Sequence, residues 1–120
     1  MIQLNSNLKV IDNSGAKLAR CIKVLNNTQY ASTGDIIVVS IRKAYPDKKV
    51  KGGEVHKALV VYTKKNTKRL NGSYVKLGKN ACILLDPKKL PQATRILGPV
   101  PRELKFKGFS KVLSIAKKII

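Results

Sequence analysis

Apolar and polar positions alternate through much of residues 8–63, and a period of two points to strands rather than helices. Leu8-Lys9-Val10-Ile11 reads as a short strand. Over 17–25, Leu18, Arg20, Ile22 and Val24 fall on one face, and Ala19, Cys21, Lys23 and Leu25 on the other. The strongest signal covers 35–43, where Ile36, Ile37, Val38, Val39 and Ile41 crowd together as β-branched residues do in a sheet. Further strands are predicted over 55–63, 73–77 and 81–85, the last two around Gly78-Lys79-Asn80. Turn formers stand between them: Asp12-Asn13-Ser14-Gly15, Asn26-Asn27-Thr28, Ala31-Ser32-Thr33-Gly34-Asp35 and Pro46. The apolar runs near Val60 and Ile83 fit strands of a closed sheet. Short strands at this spacing predict a mainly β fold, a small barrel or sandwich.

The pattern changes after Pro87-Lys88-Lys89-Leu90-Pro91, which ends the β region. Residues 92–100 read as an irregular connector. Pro101 suits the start of one helical turn over 102–106. Over 109–119, Phe109, Val112, Leu113, Ala116 and Ile120 recur at helical spacing. Ser110 is a plausible cap for this helix, and the lysines near its end suit the helix dipole. The expected organisation is one domain, a barrel over about 1–90 and a helical segment over about 100–120.

Charge adds a partner to this picture. The 25 Lys and Arg against 6 Asp and Glu give a net charge of +19 and a pI near 10.3. A chain so basic repels itself unless a polyanion neutralises it. The cations gather in loops: Lys48, Lys49 and Lys51; Lys64, Lys65, Lys68 and Arg69; Lys88 and Lys89. Lysine meets phosphate as a point charge, so these loops predict backbone-led RNA binding with specificity from shape. Bases can also stack on aromatic rings, but at 5% aromatic residues Tyr30, Tyr45, Tyr62 and Tyr74 read mostly as barrel packing.

Other chemistry finds little support. His56 is the single histidine and sits inside a predicted strand. Asp12, Asp35, Asp47, Glu54 and Asp86 are scattered at turns and strand ends, where capping explains them. No nucleophile elbow or nucleotide-cradling glycine loop occurs, so no enzyme and no cofactor are expected. Cys21 and Cys82 lack metal-site spacing and read as small core residues. No stretch approaches the ~18 apolar residues that span a bilayer. Met1-Ile2-Gln3-Leu4-Asn5 has neither a secretory nor a transit pattern, so no membrane partner is expected.

Several motifs in order carry a resemblance. They are Met1-Ile2-Gln3, Asp12-Asn13-Ser14-Gly15-Ala16, Cys21-Ile22-Lys23-Val24-Leu25 and Gly34-Asp35-Ile36-Ile37. Ala58-Leu59-Val60-Val61, Asn71-Gly72, Asn80 and Ile83-Leu84 follow, then Thr94-Arg95-Ile96-Leu97-Gly98-Pro99-Val100 with Arg102-Glu103-Leu104. The chain resembles the universal large-subunit ribosomal protein fourteen family in its bacterial and organellar form. Lys117 and Lys118 depart from that family's usual ending.

The resemblance implies a five-stranded β-barrel with short C-terminal helices and a structural role in the large ribosomal subunit. It implies contacts to large-subunit rRNA and a bridge to small-subunit rRNA. Large-subunit proteins three and nineteen are the implied neighbours, and a ribosome-silencing, anti-association factor the implied ligand. Thr94, Arg95, Arg102 and Lys111 are the expected protein and bridge contacts. The alternative is a free basic RNA-binding or chaperone module. Lysine outnumbers arginine four to one, and Ile and Asn are frequent. This codon-linked bias favours an organelle-encoded protein of the mitochondrial matrix, with plastid and bacterial cytoplasm as alternatives.

Overall fold

The computed structural model describes residues 2–25, 29–63, 67–68, 74–75 and 80–119. Five strands close into a barrel: β1 (Asn7–Val10), β2 (Ala16–Val24), β3 (Ile36–Ala44), β4 (Val55–Tyr62) and β7 (Ala81–Leu85). Two short strands, β5 (Thr67–Lys68) and β6 (Tyr74–Val75), pair with each other between β4 and β7. Strands β1 to β4 follow one another antiparallel, with Leu8 opposite Ala19, Ala19 opposite Ile41 and Ile37 opposite Ala58. Strand β7 pairs antiparallel with β4 and parallel with β1, which closes the circle at Val10↔Cys82. Closure leaves these five strands no free sheet edge to pair with another chain.

The apolar runs of β4 and β7 have a definite cause. Ala58, Val60, Cys82 and Leu84 point into the barrel with Leu8, Ala19, Cys21, Ile37, Val39 and Ile41. Leu59, Val61, Ile83 and Leu85 point outward, yet they are buried too. They pack against Ile96, Val100, Leu104 and Val112 of the C-terminal segment. A strand covered on both faces loses its alternation.

That C-terminal segment differs from the sequence-based expectation. Residues Ile96–Val100, read as an irregular connector, form strand β8. A 3-10 helix over Arg102–Lys107 follows Pro101, much as expected, and ends at Gly108 in the left-handed region. Helix α1 covers only Ser110–Ile115; Ala116–Ile119 turns into strand β9, parallel to β8. Six residues are too few for propensity to hold a helix in water, so tertiary pairing decides where the helix stops. Phe109, not Ser110, occupies the N-cap, and no side chain caps it. Lys118 lies in the strand, so the dipole argument for the terminal lysines does not apply. Of the predicted apolar face, Val112 is buried with Phe109 and Leu113 beside it, Ala116 packs there from β9, and Ile120 lies outside the described residues.

Strand β2 also departs from the expected alternation. Its pairing steps from Cys21↔Val39 to Lys23↔Val38, an irregularity that inserts one residue. A bulge reverses the side-chain parity beyond it. Val24 therefore packs against the interior beside the faces of Ala19 and Cys21, and Leu25 turns out to solvent. Both cysteines are free and buried, and burial raises both thiols above their ordinary range. They are inert packing groups, as the sequence suggests.

The closing seam carries a buried acid. Past Ile11 N, which donates to Cys82 O at 3.1 Å, the ladder continues through a side chain. Leu84 N donates to Asp12 Oδ2 at 2.9 Å, and Ser14 N donates to Oδ1 at 3.1 Å. Burial nevertheless holds the Asp12 carboxyl above its ordinary value of 3.8. A raised acid favours the fold while protonated; that contribution is whole below pH 3.8 and is lost as pH rises through the folded value. Asp12→Asn does not titrate, so its stability relative to the parent should improve from about pH 3 to pH 7. Urea unfolding at a series of pH values measures this; a flat difference contradicts the raised pKa.

Candidate nucleic-acid interface

The first basic loop joins β3 to β4 and is pinned at several points. Val50, 3% exposed, drops into the barrel core. Gly53 N donates to Ile41 O, and Tyr45 N to Gly15 O, both at 2.8 Å. Lys51 N donates to Glu54 Oε1 at 3.1 Å, and Lys51 Nζ folds back to Pro46 O at 3.0 Å. Gly15, at φ +110°, lies so close that an added Cβ would fall 2.2 Å from Lys48 Cβ. These ties make the loop a fixed platform. Lys48, Lys49 and Lys51 are all exposed on it. One donor of Lys51 is spent on the loop itself, so Lys48 and Lys49 carry the more available charge.

The turn after β7 is built by one carboxylate. Asp86 Oδ1 accepts from Lys88 N and Leu90 N, both at 2.9 Å, and Asp86 N donates to Leu90 O at 2.8 Å. This is the Asx chemistry that makes Asp a turn residue. It leaves Lys88 and Lys89 exposed, with Lys89 itself at φ 64°. The register Lys57↔Leu85 sets Lys57 beside the strand end that leads into this turn. Lys57, Lys89 and Lys107 line one open groove of about 740 Å3 with Gly34 and Phe109. Lys57 and Lys107 were not singled out from sequence. One looks like an ordinary polar strand position and the other like a helix end; only the fold brings them to Lys89.

Of the second basic loop, Lys64, Lys65 and Arg69 lie outside the described residues, as does the Asn71-Gly72 turn. Lys68 belongs to β5 and pairs with Tyr74, so part of the segment read as loop is a strand of a hairpin.

The residues expected to meet proteins divide into two places. Asn13 holds the first: its Oδ1 accepts from Thr94 N and Arg95 N, both at 3.1 Å, and its Nδ2 donates to Thr94 Oγ1 at 3.1 Å. Asn13 N donates in turn to Arg95 O. Thr94 and Arg95 are thus exposed on a backbone fixed by the β1–β2 turn. The pairing Ile96↔Ala116 brings the end of α1, the helix of exposed Lys111, beside the start of β8. Arg102, also exposed, stands past the opposite end of β8. Nothing in the sequence marked Asn13 as more than a turn residue.

Four of the acids accept local or strand backbone N–H groups, while Asp47 is exposed on the first basic loop. Ser32 N donates to Asp35 Oδ2 at 2.8 Å, and Asp12, Glu54 and Asp86 also accept backbone N–H groups. His56 is structural: Gln92 Nε2 donates to Leu85 O at 2.8 Å and lies 3.1 Å from His56 Nδ1, which must then accept. His56 Nε2 is left to donate to Glu54 Oε2 at 2.9 Å. That bond, with Lys51 N–H second, holds the Glu54 carboxyl below its ordinary range. Among the described residues no cluster of His, Cys, Asp and Glu could hold a metal ion, and no helix is long and apolar enough to cross a membrane.

Hydrogen-bonded, lysine-bearing turns in which Glu54 and Asp86 are engaged by backbone N–H groups suit phosphate backbones. A protein-family model described as Ribosomal protein L14p/L23e matches residues 1–120.

Proposed function

The chain belongs to the ribosomal protein L14p/L23e family, structural proteins of the large ribosomal subunit, and on that premise we propose how it engages RNA and partners there. Lys48, Lys49, Lys88 and Lys89 neutralise phosphates of large-subunit rRNA, with Lys51 and the Lys64, Lys65, Lys68 and Arg69 segment adding to the footprint. The observation that carries this reading is that the described loop lysines are exposed on pinned turns, where Glu54 and Asp86 bind backbone N–H groups. Binding costs little ordering where the loop is already fixed.

Thr94, Arg95 and Lys111 are the protein-facing residues, Lys111 standing at the first turn of α1, whose far end meets β8. They suit the silencing factor, whereas Arg102 serves a separate contact. The bridge to small-subunit rRNA and the neighbours three and nineteen use this C-terminal side. The mitochondrial matrix remains the favoured compartment on the lysine bias, ahead of plastid and bacterial cytoplasm.

Replacing Lys48, Lys49, Lys88 and Lys89 together with alanine tests the RNA footprint. The slope of log affinity against log salt for large-subunit rRNA should fall by roughly three, at about 0.7–0.9 per phosphate contact. Filter binding between ~50 and ~200 mM salt reads it. An unchanged slope removes these loops from the interface. On a sucrose gradient the parent protein should comigrate with large subunits at moderate salt; confinement to the top fractions argues for a free RNA-binding module.

A further inference from the structure

The tyrosines provide an observation that the phosphate-binding reading does not use. Tyr62 is buried, as barrel packing requires, but Tyr45 is 50% exposed and Tyr30 is 43% exposed, contrary to the expectation for most of them. Tyr45 is half-exposed at the base of the first basic loop. Its backbone N–H is tied to Gly15 O, so the ring is carried on a fixed main chain. Lys17 Nζ lies 4.2 Å from the centre of that ring. The two residues share a cleft of about 570 Å3 with Lys9, Tyr62, Leu97 and Pro99. Leu97 is 65% exposed at its rim.

We infer that this cleft receives one unstacked RNA nucleobase, stacked on Tyr45, with an adjoining phosphate on Lys17. This rests on the RNA-binding reading above and adds a base site to it. Three features favour that occupant. The volume suits a small flat ligand. An exposed aromatic face with apolar walls is what a base stacks against, and each such contact is sequence-tolerant. Lys17 Nζ, which lies over the ring, swings aside when the base stacks there; its charge then meets the adjoining phosphate, and Lys9 supplies a second. Lys48 N donates to Tyr45 O at 3.4 Å, so a strand tracking the loop lysines would pass close to the cleft.

The cleft offers little to read base identity. The carboxylate at its floor, Asp12, has both oxygens engaged by Leu84 N and Ser14 N. Stacking and charge are left to do the binding, so the four bases should bind within a few-fold of one another.

The test uses the full chain and two single-stranded RNA hexamers in ~0.15 M salt, one carrying bases and one abasic with the same phosphates. Fluorescence anisotropy should show the base-bearing hexamer binding about five- to a hundredfold tighter. Tyr45→Ala should erase that ratio and leave the salt slope unchanged, while Tyr45→Phe should retain the ratio. Lys17→Ala should lower the slope by about 0.7. Unchanged thermal melting shows that the variants fold. Equal binding of the two hexamers, or a ratio that survives Tyr45→Ala, overturns the base site and leaves the phosphate footprint standing. Binding of neither hexamer overturns both readings. A polyglutamate peptide of equal charge that binds as tightly as the base-bearing RNA, and loses affinity in Tyr45→Ala, makes the cleft a protein site instead.

Discussion

Leu84→Ala is expected to lower the unfolding free energy by about 2–5 kcal/mol. Leu84 is fully buried inside the barrel, on the strand that closes it, and its backbone N–H holds the Asp12 carboxylate. Truncation removes apolar contacts and leaves a cavity that close-packed neighbours cannot collapse to fill. Domains are stable by only about 5–15 kcal/mol, so the loss is a large share of the whole. Its neighbour makes the informative comparison. Ile83 is equally buried but faces outward, against the cluster that includes Leu104 and Val112. Ile83→Ala should cost a similar amount, yet release the C-terminal segment first. Hydrogen exchange should then quicken in β8 and β9 before the barrel amides. Uniform quickening in both variants would show that barrel and segment open as one.

Gly15 is buried under the β3–β4 loop, and Gly15→Val should cost about 3 kcal/mol or more. A β-branched residue is strained at φ +110°, and the added Cβ would meet Lys48 Cβ, part of a side chain close to its own backbone. Relief requires the β3–β4 loop to move. Gly52→Ala is the control: nothing lies within 4 Å of an added Cβ there, and its φ is not left-handed. That change should alter stability by less than about 1 kcal/mol. Thermal melting of the two variants separates the effects. RNA affinity should follow for Gly15→Val, because displacing the loop moves Lys48 and Tyr45 together. A Gly15→Val protein as stable as the Gly52→Ala protein would mean the loop yields without cost.

The first four barrel strands were legible because their signals are local. Crowded β-branched residues and turn clusters suffice for β3, and Asp12-Asn13-Ser14-Gly15 marks the turn before β2. What escaped was created by distant pairing. Ile96–Val100 contains Gly98 and Pro99, so nothing local announces a strand; it is extended because β9 and the β1–β2 turn lie beside it. The end of α1 escaped for the same reason. The bulge near Ile22 was invisible because the alternation of β2 looks equally regular in either parity. The loop lysines could be named from charge alone. Their companions could not: Lys57 and Lys107 reach Lys89 through the fold, and Asn13 acquires its role only when Thr94 arrives. Tyr45 was misjudged because a scarcity of aromatic residues says nothing about where each ring points.

The parallel seam between β1 and β7 also bears on how the protein is made. Asp12 and Leu84 meet across 72 residues of chain, and two parallel strands cannot be joined by a tight hairpin. A polypeptide emerging amino end first can pair β2 with β3 and β3 with β4 as each is completed. The outer edge of β1 has no barrel partner until β7 has been synthesised. Contacts this distant in sequence make folding slow relative to helical proteins of the same size. The open edge persists during translation, and unpaired edges invite association with other chains. Lys9, exposed on that strand, keeps a positive charge on the waiting edge and discourages two unfinished copies from zipping together.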